Sequence, residues 1–194
     1  MANRFFQQFS FGLAHYPVTL HGKATIGASG ATSALVGAGV LSLTRLAQGV
    51  YALKLEDNYY RFYGLDVTFE APVTGADVTA GSFVVGTLYE ITALGSTDWA
   101  AIGLPAGVTP AVGVSFVATG VGSGTGTAKA VGSSGIFVSE VVGNPQLGLA
   151  PSVQGAVVYF KCLDAAGAAT DPASGSVLYF TVKLRNSGVV DKGE

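Results

Sequence analysis

Few residues in this chain are of types that do chemistry, and their spacing is the first thing to weigh. The two histidines are His15 and His21. A metal site needs three or four converging ligands, and no cysteine stands near either histidine in sequence. His15 therefore reads as a turn residue and His21 as a half-exposed strand residue. Asp66 and Glu70 are an even number of residues apart, so an extended chain puts both on one face. A glycosidase would need such a pair to face a sugar across a cleft; a solvated strand face is the simpler reading. Glu56 and Asp57 read as a polar turn, since calcium asks for a denser loop of oxygen ligands. Gly122-Ser123-Gly124-Thr125-Gly126 resembles a phosphate-binding loop in its glycines alone, with no lysine and no helix after it. A Ser-His-acid triad can assemble from distant positions, but no Gly-x-Ser-x-Gly elbow between strand and helix supports one. The expectation is a protein that is not an enzyme, with no catalytic set, no cofactor and no metal.

The remaining candidates concern packing and binding. Cys162 is the one cysteine. It lies in the strand-like run Val157–Leu163 and reads as a buried structural thiol, with an intermolecular disulfide or a redox role as the alternatives. Phe5, Phe6, Phe9 and Phe11 crowd an N-terminal arm. Aromatics so dense are not left in water, so the arm is expected to pack on its own core or at a subunit interface. Tyr59, Tyr60, Phe62 and Tyr63 form the densest aromatic group, expected in packing or on a ligand surface such as a carbohydrate platform; alternation divides them between two faces.

Composition narrows the class. Charged residues are 11% of the chain and hydrophobic ones 49%, against roughly a quarter charged in ordinary globular proteins. Disorder pairs low hydrophobicity with high charge and is disfavoured. The net charge of −2 and the scattered ten basic residues offer no stripe for a phosphate backbone, so no nucleic acid is expected. No run reaches the roughly 20 apolar residues that span a bilayer, and the N-terminal residues lack the pattern of a signal peptide. The expectation is no membrane partner and folding in a cytoplasm.

The elements that would position these residues are strands. Residues 16–26 alternate, with Pro17 suited to a strand start or edge. Residues 40–46 and 50–55 read as a hairpin around Ala47-Gln48-Gly49, with Gly49 left-handed and Tyr51, Leu53 and Leu55 on one face. Leu65, Val67 and Phe69 alternate with Asp66, Thr68 and Glu70, the mark of a sheet with one covered face. Residues 79–130 change texture and read as a compact inserted subdomain, glycine-rich, with a core of Tyr89, Ile91, Trp99, Ile102 and Phe116. Ile136–Val138 and Val157–Leu163 read as strands, and Val177–Arg185 as the hairpin partner of the latter. Asn186–Glu194 reads as a polar tail. The 28 glycines supply turns between short strands, and no helix of ten or more residues is expected. The fold class is all-β: an antiparallel β-sandwich, jelly-roll-like or an open barrel, formed by residues 1–78 and 131–194, with the small β-subdomain 79–130 inserted.

Two stretches carry a family resemblance. Leu43-Thr-Arg-Leu-Ala-Gln-Gly-Val-Tyr-Ala-Leu-Lys-Leu55 resembles the T-R-x-x-x-G-x-Y-x-L-x-L stretch of structural proteins of tailed bacteriophages, and residues 175–187 resemble the ending of the same proteins. Tyr89–Thr92, Gly95–Gly103, Gly113–Gly120 and Gly124–Thr127 are similar to a small β-module of phage virion proteins, from which Leu104–Pro110 departs. The resemblance implies a virion protein made in a host cytoplasm. It would be a head decoration or minor capsid protein holding the major capsid protein and other copies of itself, as a trimer. A tail, collar or baseplate component that binds host glycan is the alternative. It implies no catalytic residue.

Overall fold

A computed structural model of the chain describes residues 17–59, 61–143, 145 and 155–185. They fall into two compact units: the larger takes residues up to Glu70 and from Ser134 onward, and the smaller is Ala71–Ser133. The sequence pattern had bounded the smaller unit at 79 and 130.

Alternation becomes strand throughout the larger unit. In β1 (Pro17–Ile26) Val18, Leu20, Ala24 and Ile26 are buried, while Thr19, His21 and Lys23 face out. Gly22 holds an inward position because the ring of Phe180 lies where a side chain would go. The other strands are β2 (Thr32–Gly37), β3 (Val40–Ala47), β4 (Val50–Leu55), β5 (Arg61–Glu70), β10 (Val138–Val141), β11 (Val157–Leu163) and β12 (Val177–Arg185). They form two four-stranded sheets, ordered β2-β1-β12-β5 and β10-β11-β4-β3, in which every pair is antiparallel. Neither closes into a barrel. Both sheets feed one hydrophobic cluster: Leu20, Ile26, Leu178 and Val182 from the first, Leu43, Leu53, Leu55 and Phe160 from the second. At its centre Tyr51 and Phe160, cross-strand partners of β4 and β11, stack at 5.5 Å.

The β3–β4 connection is tighter than expected. Ala47 still pairs with Val50, so the turn is Gln48-Gly49 alone. Gly49 has φ +67, and a side chain there would strike the main chain of Ala169 and Thr170, so the position excludes every other residue on two grounds.

One pairing expected from sequence is overturned. β11 and β12 are not a hairpin: β11 lies between β10 and β4, and β12 lies between β1 and β5, in the other sheet. The connecting segment makes the transfer. Leu163 bridges Ala169, and Thr170 N–H donates to the Cys162 carbonyl at 2.9 Å, both still on the second sheet. Gly175 N–H then reaches the Ile26 carbonyl at 2.7 Å on the first. The strand expected at Ile136–Val138 is also displaced, since β10 begins at Val138.

The smaller unit holds the third antiparallel sheet, ordered β6-β9-β7-β8: β6 (Val78–Thr79), β7 (Leu88–Ala93), β8 (Ser115–Val117) and β9 (Thr127–Ala130). Of the strand-like run 81–92 only Leu88 onward is strand. Phe83 instead folds back onto Tyr89, Trp99 and Phe116, with ring centroids 5.0–6.0 Å away. Among the described residues the helical turns are two three-residue 3-10 segments, Ala28–Gly30 and Ala100–Ile102.

Candidate functional site

The two carboxylates expected on one face, Asp66 and Glu70, are both engaged on an outward strand face. Asp66 pairs with Lys183 at 3.0 Å, both well exposed. Glu70 accepts a 2.6 Å hydrogen bond from the Tyr179 hydroxyl, which raises the phenol's pKa. His21 sits on the same sheet with Nδ1 3.0 Å from Thr181 Oγ1. Antiparallel register brings these together: Thr181 faces both His21 and Asp66. The result is a row of polar side chains on a solvated face. Among the described residues no three of His, Cys, Asp and Glu gather to hold a metal, and no helix is long and apolar enough to cross a membrane. His15 lies outside the described residues.

The aromatic group of residues 59–63 does not share a surface. Tyr59 is buried in the core, Phe62 packs partly against it, and Tyr63 is exposed; Tyr60 lies outside the described residues. So do Phe5, Phe6, Phe9 and Phe11. Cys162 is free and fully buried in β11. Burial first, and the nearby Asp171 carboxylate second, push its thiol up to about 12, so it holds little thiolate at neutral pH. Tyr89, Ile91, Trp99, Ile102 and Phe116 are all buried in one cluster of the smaller unit, which also takes in Phe83 and Leu104.

The most connected polar group is one that sequence reasoning missed. Asp171 receives Arg45 Nε at 2.9 Å and Nη2 at 2.7 Å, the Gly49 N–H at 2.8 Å and the Tyr51 hydroxyl at 3.3 Å. Tyr51 also lies 3.1 Å from the Gly30 carbonyl. The Arg45 fork above all holds the Asp171 carboxyl below its ordinary range. Three of these bonds go to Oδ1 and one to Oδ2, and all four donors belong to the chain itself. What the group does is tie the β3–β4 turn to the segment that carries the chain between sheets. Asp164 does a similar local task, accepting the N–H groups of Ala166 and Ala168 at 2.9 Å each.

Among the described residues, several edge strands carry exposed apolar side chains. β3 is an edge strand with two bulges: Val40 and Ser42 face successive residues of β4, as do Arg45 and Ala47. The extra residues are Leu41 and Leu46, 56% and 55% exposed. A bulge turns its extra side chain away from the ladder; edge strands ordinarily protect themselves with charge, and here both bulges present leucine. On the edge strand β10 and just before it, Val138 and Phe137 are 55% and 67% exposed. They line an open groove of about 210 Å³ with Val67 and Phe69 of β5, an edge strand of the other sheet among the described residues. In the smaller unit Leu88 and Val117 are direct cross-strand partners on the exposed face, and Val84, Val85 and Val121 are exposed as well.

Comparison with protein-family models, with curated proteins and with solved structures finds no match to this chain.

Proposed function

We propose that the chain is a structural protein of a tailed-phage particle, a capsid decoration or minor capsid protein that binds the head shell by protein–protein contacts. In this reading the two sheets of the larger unit are a β-sandwich, and the smaller unit is an inserted module. The protein works by association, without catalysis or cofactor, with the major capsid protein and further copies of itself as partners and a trimer as its assembly. The observation that carries the reading is the pair of leucines lifted out of the edge strand β3 by its two bulges. Such side chains gain from being covered, each by about 1 kcal/mol for the area still in water. A specific contact buries about 1,600 Å² in all, and repetition on a lattice adds avidity to weak single contacts.

Electron cryo-microscopy of the whole particle tests this. Density for the chain repeated over the head shell is the expected result. Density confined to the tail, collar or baseplate sinks the decoration reading and makes host-glycan binding the next question.

A further inference from the structure

Residues 164–176 carry the chain from β11 in the second sheet to β12 in the first. They are small and polar for the most part, and only Pro172 and Ser176 among them are buried. Little apolar area therefore holds this strap down, and a segment with few buried apolar contacts opens below the free energy of global unfolding. The Ser176 hydroxyl is buried without a hydrogen-bond partner among the described residues, which is a cost to the closed form. What fastens the strap is polar. Thr170 N–H donates to the Cys162 carbonyl at 2.9 Å, and Ala173 N–H to the Ser134 carbonyl at 2.8 Å. Between them Asp171 takes the Arg45 fork and the Gly49 N–H. The Arg45 and Asp171 side chains are 32% and 18% exposed, so water reaches this pair while the core stays closed.

Next to the strap lies Cys162, fully buried and the last inward-facing residue of β11. Its N–H donates to the Gly49 carbonyl at 2.8 Å, and Gly49 has no side chain to shield it. A side chain on Gly49 would meet the main chain of Ala169 and Thr170 and the Cys162 carbonyl, so strap, turn and cysteine pack directly on one another. We propose that residues 164–176 open as a unit while both sheets stay folded, that the Arg45–Asp171 pair is the latch, and that opening bares the Cys162 thiol. In the closed form burial, and after it the Asp171 carboxylate, hold that thiol protonated and inert. In the open form both causes are gone and it reacts as an ordinary thiol. The device belongs to the chain itself and does not rest on what the chain binds.

Cys162 is the one cysteine, so the rate at which the full-length protein reacts with Ellman's reagent measures how often that thiol is bared. Below the unfolding transition the wild-type rate should depend only weakly on urea, since opening a strap exposes little surface. Asp171→Asn should speed labelling in native buffer about tenfold, the effect of losing one charged hydrogen bond. Val182→Ala acts in the core, where Val182 is 0% exposed and faces Leu20 and Leu65 across the sheet. It should lower the urea midpoint and leave the native labelling rate unchanged. If Asp171→Asn does not fold, Arg45→Lys keeps the charge and loses the fork, and the same acceleration is expected in smaller measure. Labelling confined to urea concentrations that unfold the chain overturns the proposal. So does a latch variant no faster than wild type, or a Val182→Ala protein as fast as the latch variant.

Discussion

At the scale of single residues, the group with the largest consequence is Asp171. Its carboxylate collects four donors from Arg45, Gly49 and Tyr51, and its pKa is lowered from 3.8, chiefly by the Arg45 hydrogen bond. A carboxyl whose folded pKa lies below its unfolded one binds fewer protons when folded. Its stabilisation is therefore full above pH 3.8 and is lost as pH falls through the lower folded value. Asp171→Asn keeps an acceptor for Gly49 but loses the charge that holds the guanidinium fork. We expect a loss on the order of 1–2 kcal/mol at pH 7, the Arg45 share being screened by solvent, or about 4 °C in Tm. The gap between variant and wild type should close as pH falls below 3.8 and Asp171 takes up its proton in the folded protein. Asp164 is also held low, by the Ala168 and Ala166 N–H groups, so the wild-type curve alone is not diagnostic and the difference is the readout. A gap that does not change with pH would show that the charge contributes nothing.

At the scale of elements, the bulges of β3 separate folding from association. Leu41 and Leu46 are outside the ladder and over half exposed, so Leu41→Ser/Leu46→Ser should change stability by less than about 0.5 kcal/mol. The same pair should lower occupancy on the particle, or self-association in solution, several-fold. Unchanged binding would remove β3 as a contact edge. These bulges also mark where sequence stops being informative. Period-2 alternation placed the strands around 16–26, 50–55, 59–70, 157–163 and 177–185, because each side faces either a core or water. It could not see Leu41 and Leu46 as bulged residues, since a bulge is a property of the partner strand's register. It paired β11 with β12 because they are neighbours in the chain and both alternate. In the segment that makes the transfer between sheets, Asp171 binds Arg45, 126 residues away, and nothing local in that small, turn-rich stretch signals the partner. The polar face of Asp66 and Glu70, in contrast, was legible because alternation alone determines it.

At the scale of the whole molecule, the two-unit organisation makes a demand that can be met or failed. Ala71–Ser133 has its own core, in which Phe83, Tyr89, Trp99 and Phe116 touch one another through ring contacts of 5.0–6.0 Å. Its two ends are held together by its own main chain: Gly132 N–H donates to the Pro72 carbonyl at 2.7 Å, Val73 bridges Val131, and Thr74 N–H donates to the Ala130 carbonyl at 3.1 Å. The unfolded ends of this unit would therefore not need the rest of the chain to meet. Ala71–Ser133 made alone should fold, although a domain on the order of 60 residues has little stability in reserve. Trp99 is the one tryptophan of the chain and is 2% exposed, so its emission reports this unit and nothing else. The fragment should show blue-shifted emission that moves to the red in one cooperative step with urea. Phe116→Ala removes a ring packed against three others and should cost about 3–5 kcal/mol, enough to abolish that step in the fragment. Emission already red in the unsubstituted fragment, without a transition, would mean that the unit's core forms only within the full chain. It would then be an outgrowth of the larger unit and not a module, which removes the physical basis for expecting the same piece grafted onto other proteins.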